Sequence, residues 1–178
     1  DDLAWRNLGW ANWLHTRDYA ESVRCYKKAI EINPNAALYL EECDQAMEAN
    51  RTPVPERYEL LKSHHATCEK RYYPLSQEVV LGTWCGDYDY VLGLLDRCYF
   101  PTREGVANFH DNFVDACVLA GKAKLEKGDA KAAIALYEKA FTYPENHQVF
   151  LVDERATHDA QINYELGVAY ESLGDKEN

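Results

Sequence analysis

The chain is short of positive charge, of long apolar runs, and of glycine and proline, and each shortage excludes something. Nineteen Lys and Arg stand against thirty Asp and Glu, a formal net charge of −11. A nucleic-acid partner needs clustered cations to neutralise phosphates, and an anionic membrane surface needs them too. The charge balance argues against both and leaves a basic peptide or a neutral surface as compatible partners. No apolar run approaches the roughly 20 residues of a membrane span. The six cysteines (25, 43, 68, 85, 98 and 117) include no CxxC pair, so a zinc ribbon or a thioredoxin-like redox site has no support. Several sit where a helix would bury them and read as small apolar residues with reduced thiols, which points to a cytoplasmic setting. Their even number still leaves a disulfide framework open. Nine glycines and six prolines mark a few turns, and no linker is long or polar enough to part the chain into two domains. No signal peptide is read. The opening Asp1-Asp2-Leu3-Ala4-Trp5 already lies in a helical pattern, as though cut from a longer chain.

What is present is a thirteen-residue pattern that occurs three times: DYAESVRCYKKAI from Asp18, DYDYVLGLLDRCY from Asp87 and DAKAAIALYEKAF from Asp129. Each copy begins with aspartate and carries apolar or small residues 4, 5, 8, 11 and 12 positions later. Those steps line one face of a 3.6-residue helix. Such a helix cannot bury its apolar face alone, so the recurrence predicts stacked helices. Gly86-Asp87, Gly128-Asp129 and Gly174-Asp175 supply a recurring turn. In it, glycine accepts the left-handed backbone at a helix end and aspartate caps the next helix.

Helices are predicted over Leu3 to His15, Asp18 to just before Pro34, Ala36 to Ala49, Glu56 to Arg71, Pro74 to Cys85, Asp87 to Tyr99, Phe109 to Lys127, Asp129 to Thr142 and Ala160 to Leu173. Arg51-Thr52-Pro53-Val54-Pro55 reads as a turn. The least regular stretch is Tyr143 to Thr157. Its run Val149-Phe150-Leu151-Val152 and charges Asp153, Glu154 and Arg155 suit a loop that tucks apolar residues onto the array.

These pieces resemble the tetratricopeptide repeat. Leu8-Gly9-Trp10-Ala11, Asp18-Tyr19, Tyr26, Ala29, Ile30 and Pro34 match one unit, with one extra residue between Gly9 and Asp18. Ala120-Gly121-Lys122-Ala123, Gly128-Asp129, Tyr137, Ala140 and Phe141 match another. Leu166-Gly167-Val168-Ala169-Tyr170 with Gly174-Asp175 matches a first helix and its turn. The resemblance implies an all-α, right-handed superhelical solenoid of about four and a half helical hairpins. Its repeats fall near 3–34, 35–72, 74–100, 108–143 and 158–178, the last incomplete, in one domain over 1–178. It implies a non-enzymatic scaffold that binds a protein or peptide, or a neighbouring domain of its own parent chain, with no cofactor and no metal. A narrower resemblance rests on Leu38-Tyr39-Leu40-Glu41-Glu42, Gly86-Asp87-Tyr88, Arg97-Cys98-Tyr99-Phe100-Pro101 and Tyr143-Pro144-Glu145-Asn146. These are similar to the repeat region of large bacterial proteins in which an uncharacterised β-rich domain, related to sugar-processing folds, precedes the repeats. That likeness implies the rival reading, an accessory region of a carbohydrate-active enzyme.

In such arrays the first helix of each hairpin lines the concave groove. The spacing then points Arg6, Trp10, Trp13, Trp84, Asp115, Lys122, Tyr164 and Val168 into it. Aromatics beside an arginine are common interface anchors, and Arg6 is placed to stack on Trp10. Trp5 reads as core; Trp10 and Trp13 read equally as core or groove. The paired lysines and asparagines that clamp acidic chaperone tails are missing. His64 and Cys68, four apart on one predicted helix, form a thiol–imidazole pair, read as an exposed polar patch rather than a nucleophile. Glu41-Glu42 reads as a solvated face, and His110-Asp111 and His158-Asp159 as helix starts. The last helix should leave Leu166, Ala169, Tyr170 and Leu173 partly uncovered, a face suited to a homodimer.

Overall fold

The computed structural model describes residues 1–101, 109–147 and 156–174, with Ala156 and Thr157 described by their backbone alone. Gly105, the run Val149–Val152, the charges Asp153, Glu154 and Arg155, and the residues after Gly174 lie outside the described residues. The described residues are helical and contain no strand. Their contacts gather into two compact units, Asp1–Cys85 and Gly86–Asn178. The division falls inside the stretch 74–100 that the sequence presents as one repeat.

The first unit holds α1 (Asp2–Ala11), a π-helical turn (Asn12–Thr16), α2 (Tyr19–Ile32), α3 (Ala37–Ala49), α4 (Val54–Ser63), α5 (His65–Cys68) and α6 (Tyr72–Trp84). Here α1 pairs with α2, α2 with α3, and α4 with α6. The second unit holds α7 (Tyr88–Arg97), α8 (His110–Glu126), α9 (Ala130–Ala140), a 3₁₀ turn (Glu145–His147) and α10 (Ala156–Ser172). In it α8 pairs with α7 and with α9, and α9 with α10. Both units are built of tetratricopeptide-like helical hairpins.

The recurring thirteen residues do what their spacing implies. Ser22, Val23, Tyr26, Ala29 and Ile30 are all buried, as are Ala133, Ile134, Tyr137 and Ala140. Each large apolar side chain removed from water contributes roughly 1.5–3 kcal/mol. The middle copy departs at its end: Val91, Leu95 and Cys98 are buried but Tyr99 is 55% exposed. The reason is that α7 stops at Arg97 and Cys98 is extended (φ −86°, ψ 155°), which breaks the helical phase. Asp18 and Asp129 cap their helices, each Oδ1 accepting from a backbone N–H three residues on, at 3.0 and 3.1 Å. Asp87 holds the same position without a side-chain cap bond. Gly86, Gly128 and Gly174 have φ of 77°, 81° and 76°, where a Cβ would be strained.

The extra residue between Gly9 and Asp18 has a place. It is absorbed by the π-helical turn Asn12–Thr16 at the end of α1, since a π turn spans one residue more than an α turn. The chain then reverses through Arg17, at φ 54°, where the other turns use glycine.

Two expectations need correction. The helix predicted over Glu56 to Arg71 is broken at His64, whose backbone (φ −115°, ψ 23°) separates α4 from α5. In α10, Ala169 is fully buried rather than uncovered. Ile162, Glu165 and Ala169 form the stripe that the preceding helices cover, since all three are buried and α10 packs on α8 and α9. Leu166 and Tyr170, about 100° round the helix, are half-buried, and Leu173 is 46% exposed.

Candidate functional site

In the first unit Arg6 and Trp10 lie on α1, Trp13 in the π-helical turn that follows it and Trp84 on α6. Trp10 is 44% exposed, and the Arg6 guanidinium lies 5.7 Å from its ring centroid, within cation–π range. Trp13 is half-buried and meets Tyr19 edge-on at 5.2 Å. Trp5 is half-buried beneath the guanidinium of Arg24, 5.2 Å from the ring. Trp10 therefore faces solvent while Trp13 and Trp5 are partly packed. Trp84, at the end of α6, is 65% exposed.

Arg6 is not free. It donates two parallel hydrogen bonds to Glu42 of α3, Nε to Oε2 at 2.7 Å and Nη2 to Oε1. This bidentate bond raises the guanidinium pKa further. Glu42 is buried, and its neighbour Glu41 is bonded by Arg71. The Glu41-Glu42 pair is thus two ion pairs rather than a solvated face. A buried carboxylate persists only with such a partner.

The second unit repeats the device. Lys122 of α8 reaches Glu165 of α10 at 2.8 Å, with Glu165 buried. In each unit a cation on one helix meets a buried glutamate on the next helix of the same kind. In each, too, a glycine one residue from that cation or three along from it (Gly121, Gly9) lies against a tyrosine of the intervening helix (Tyr137, Tyr26). The α8–α10 face carries a second pair, His158 Nε2 to Asp111 Oδ1 at 3.0 Å. Between the two pairs lies Asp115, exposed and without a hydrogen bond or ion pair among the described residues. Partial desolvation, and to a lesser degree the like charge of Asp111, raises its carboxyl pKa. Tyr164 is 69% exposed, and Val168 one turn on is half-buried.

The thiol–imidazole pair does not assemble. Cys68 is fully buried, its Sγ directed at the Leu61 carbonyl at 3.4 Å, and burial pushes its pKa well up. His64 turns to the Leu60 carbonyl at 2.9 Å. A thiol held protonated in this way is a poor nucleophile. The six cysteines are free thiols; all but Cys85 are buried, and burial raises Cys43 and Cys117 to about 12.

The short motifs at 97–101 and 143–146 meet each other. The Asn146 side-chain amide donates to the Leu95 and Cys98 carbonyls at 2.8 and 2.7 Å, and Phe100 N–H donates to the Asn146 carbonyl at 2.8 Å. His147 Nε2 also bonds the Leu95 carbonyl at 2.8 Å. Together they close the free carbonyl end of α7. Sequence spacing gave no signal for this clamp, whose partners lie some fifty positions apart.

With this geometry in hand, the profile of the tetratricopeptide repeat matches residues 4–36 and 114–147. Those two segments are similar to the tetratricopeptide repeat. No curated protein matches the sequence. Among solved structures, a crystal structure of MamA protein is similar over 99% of this chain and 84% of that one, with a TM-score of 0.56 at 14% identity. At that identity the likeness speaks for the repeat fold alone. Among the described residues no helix is long and apolar enough to cross a membrane.

Proposed function

We propose that this chain is a non-enzymatic repeat scaffold that holds a protein or peptide segment, or a neighbouring domain of a longer parent, on the first helices of its hairpins. The observation that carries this reading is the exposure of Trp10 and Tyr164 on helices whose other faces are packed. Large aromatics left in water beside paired charges are the usual anchors of an interface. The carbohydrate-enzyme reading has no such support; two of the four motifs that suggested it, 97–101 and 143–146, close the end of α7. The test is selection of random twelve-residue peptides displayed against the full chain, followed by hydrogen exchange on the complexes. Protection along α1 or along α8 and α10, weakened by Trp10→Ala or Tyr164→Ala, is expected. Absence of binders, or protection confined to α2 and α9, would defeat the reading.

A second contact is proposed for Leu166, Tyr170 and Leu173, between two copies of the chain. Two observations favour it: Leu173 is 46% exposed, and a Cβ added at Gly167 meets nothing within 4 Å, whereas Gly9 and Gly121 are each covered by a tyrosine. Light scattering should give twice the chain mass, reduced to one by Leu173→Glu; a monomeric wild type refutes the contact.

A further inference from the structure

We infer that the α8–α10 face of the second unit takes a basic segment, one presenting Lys or Arg next to an apolar side chain. The inference rests on the docking reading above and names the chemistry of the guest at this face. Its argument is a balance of charges on one surface. Residues 86–178 carry nine Lys and Arg against seventeen Asp and Glu. The cationic side chain that α8 turns towards α10, Lys122, is already held by Glu165 at 2.8 Å. The imidazole of His158 is held by Asp111 at 3.0 Å. Among the described residues no Lys or Arg on this line is left to receive an acidic guest.

The unmatched group is a carboxylate. Asp115 stands one turn after Asp111 and two turns before Lys122, on the same stripe of α8. It is exposed and has no bonded partner among the described residues. The imidazole of His158, which acts on it electrostatically, is already bonded to Asp111. An ammonium or guanidinium at Asp115 would complete the row of pairs. On α10, which packs against α8, Tyr164 offers 69% of its surface to a guest and Val168 is half-buried. A cation with an aromatic ring to lie on and a carboxylate to bond gains from both. An acidic guest would meet Asp115 and the surplus negative field instead.

Three twelve-residue peptides of alternating composition, Lys/Leu, Gln/Leu and Glu/Leu, are titrated into the full chain by fluorescence anisotropy. Hydrogen exchange places any binding on α8 and α10. The Lys/Leu peptide should bind there, more weakly as salt rises, and the Glu/Leu peptide should not. Asp115→Asn should weaken the Lys/Leu complex roughly tenfold, the scale of one charge-assisted hydrogen bond. Asp89→Asn removes the same charge from an open position (89% exposed side chain) and should leave the affinity unchanged. Equal effects of the two variants would reduce the result to the general field and overturn a site at Asp115. Equal or tighter binding of Gln/Leu or Glu/Leu on this face would overturn the basic guest while leaving the docking reading intact. Protection of α8 and α10 by none of the three would overturn the inference, and the docking reading falls only on the outcomes of its own displayed-peptide selection.

Discussion

The ring of Tyr137 fills the space in which a side chain on Gly121 would begin. A Cβ built on Gly121 would come within 2.8 Å of the ring Cδ1 and 2.9 Å of Cζ, and closer still to Cε1. The ring is fully buried and has no room to yield. At Gly9 the equivalent Cβ meets Tyr26 at 3.2 Å, and at Gly167 it meets nothing within 4 Å. Alanine gains about 1 kcal/mol over glycine inside a helix, while overpacking a tight core costs about 1–3 kcal/mol. Urea melts should therefore rank three variants: Gly121→Ala destabilised by about 1–2 kcal/mol, Gly9→Ala near wild type, Gly167→Ala stabilised by up to about 1 kcal/mol. The reverse order for Gly121 and Gly167 would contradict the packing.

The Tyr137 hydroxyl is buried without a hydrogen-bond partner among the described residues. An unsatisfied buried hydroxyl costs free energy that phenylalanine does not incur. Tyr137→Phe is expected to raise stability by about 1 kcal/mol, read as a higher melting midpoint; a lower one would show that the hydroxyl is satisfied in solution.

Arg57 binds Asp44 through Nε and Nη2 at 2.8 and 3.0 Å, with both side chains buried, and reaches Glu48 at 3.3 Å. Removing one member leaves a charge in the interior, so Arg57→Met should cost about 3–5 kcal/mol. Asp44→Leu combined with Arg57→Met should cost much less than the sum of the two singles. Additive losses in denaturant melts would show that the two charges act independently.

The clamp on α7 predicts a local effect. Asn146→Ala frees the Leu95 and Cys98 carbonyls from the amide that both accept from, a loss of about 1–3 kcal/mol. Hydrogen exchange should quicken at Cys98 and Phe100, whose amides bond within this end, before it quickens in α2. Uniform acceleration across both units would count against it.

Acid should loosen the second unit. His110 and His147 are buried beside Phe113, and His110 stacks on Tyr143 at 4.2 Å. Burial lowers both pKa values, His110 to about 4; at His110 the charges of His147 and His158 add to this and Asp111 opposes it, and at His147 the Leu95 carbonyl and Asp96 oppose it while Lys139 adds to it. Below about 6.5 the unfolded chain takes up protons that the folded one refuses, so stability falls as pH drops from about 6.5 to about 4. The full loss at His110 is at most about 3 kcal/mol. His110→Phe should flatten the decline in melting temperature over that window; an unchanged slope would place the acid sensitivity elsewhere.

Several elements were legible from local chemistry. The caps at Asp18 and Asp129 and the turns at Gly86, Gly128 and Gly174 follow from what each residue's own backbone and side chain allow. The break at His64 was not legible, because nothing near His64 in sequence forbids a continuous helix. The roles of the site residues were half legible. Arg6 and Trp10 share a helix face by spacing, and their contact was expected. That Glu42 and Glu165 would take up the cations of Arg6 and Lys122 was not, since each pair joins helices that are sequentially remote.

The sequence by itself determined the helices, their turns and the faces they bury, because capping, left-handed glycines and a 3.6-residue period act over a few positions. Only the tertiary structure decided which charges on those faces are already matched and which, like Asp115, are not. The division of the chain's contacts at Cys85-Gly86 likewise emerged only there. Such outcomes depend on side chains brought together across separate helices, at distances that no local pattern encodes.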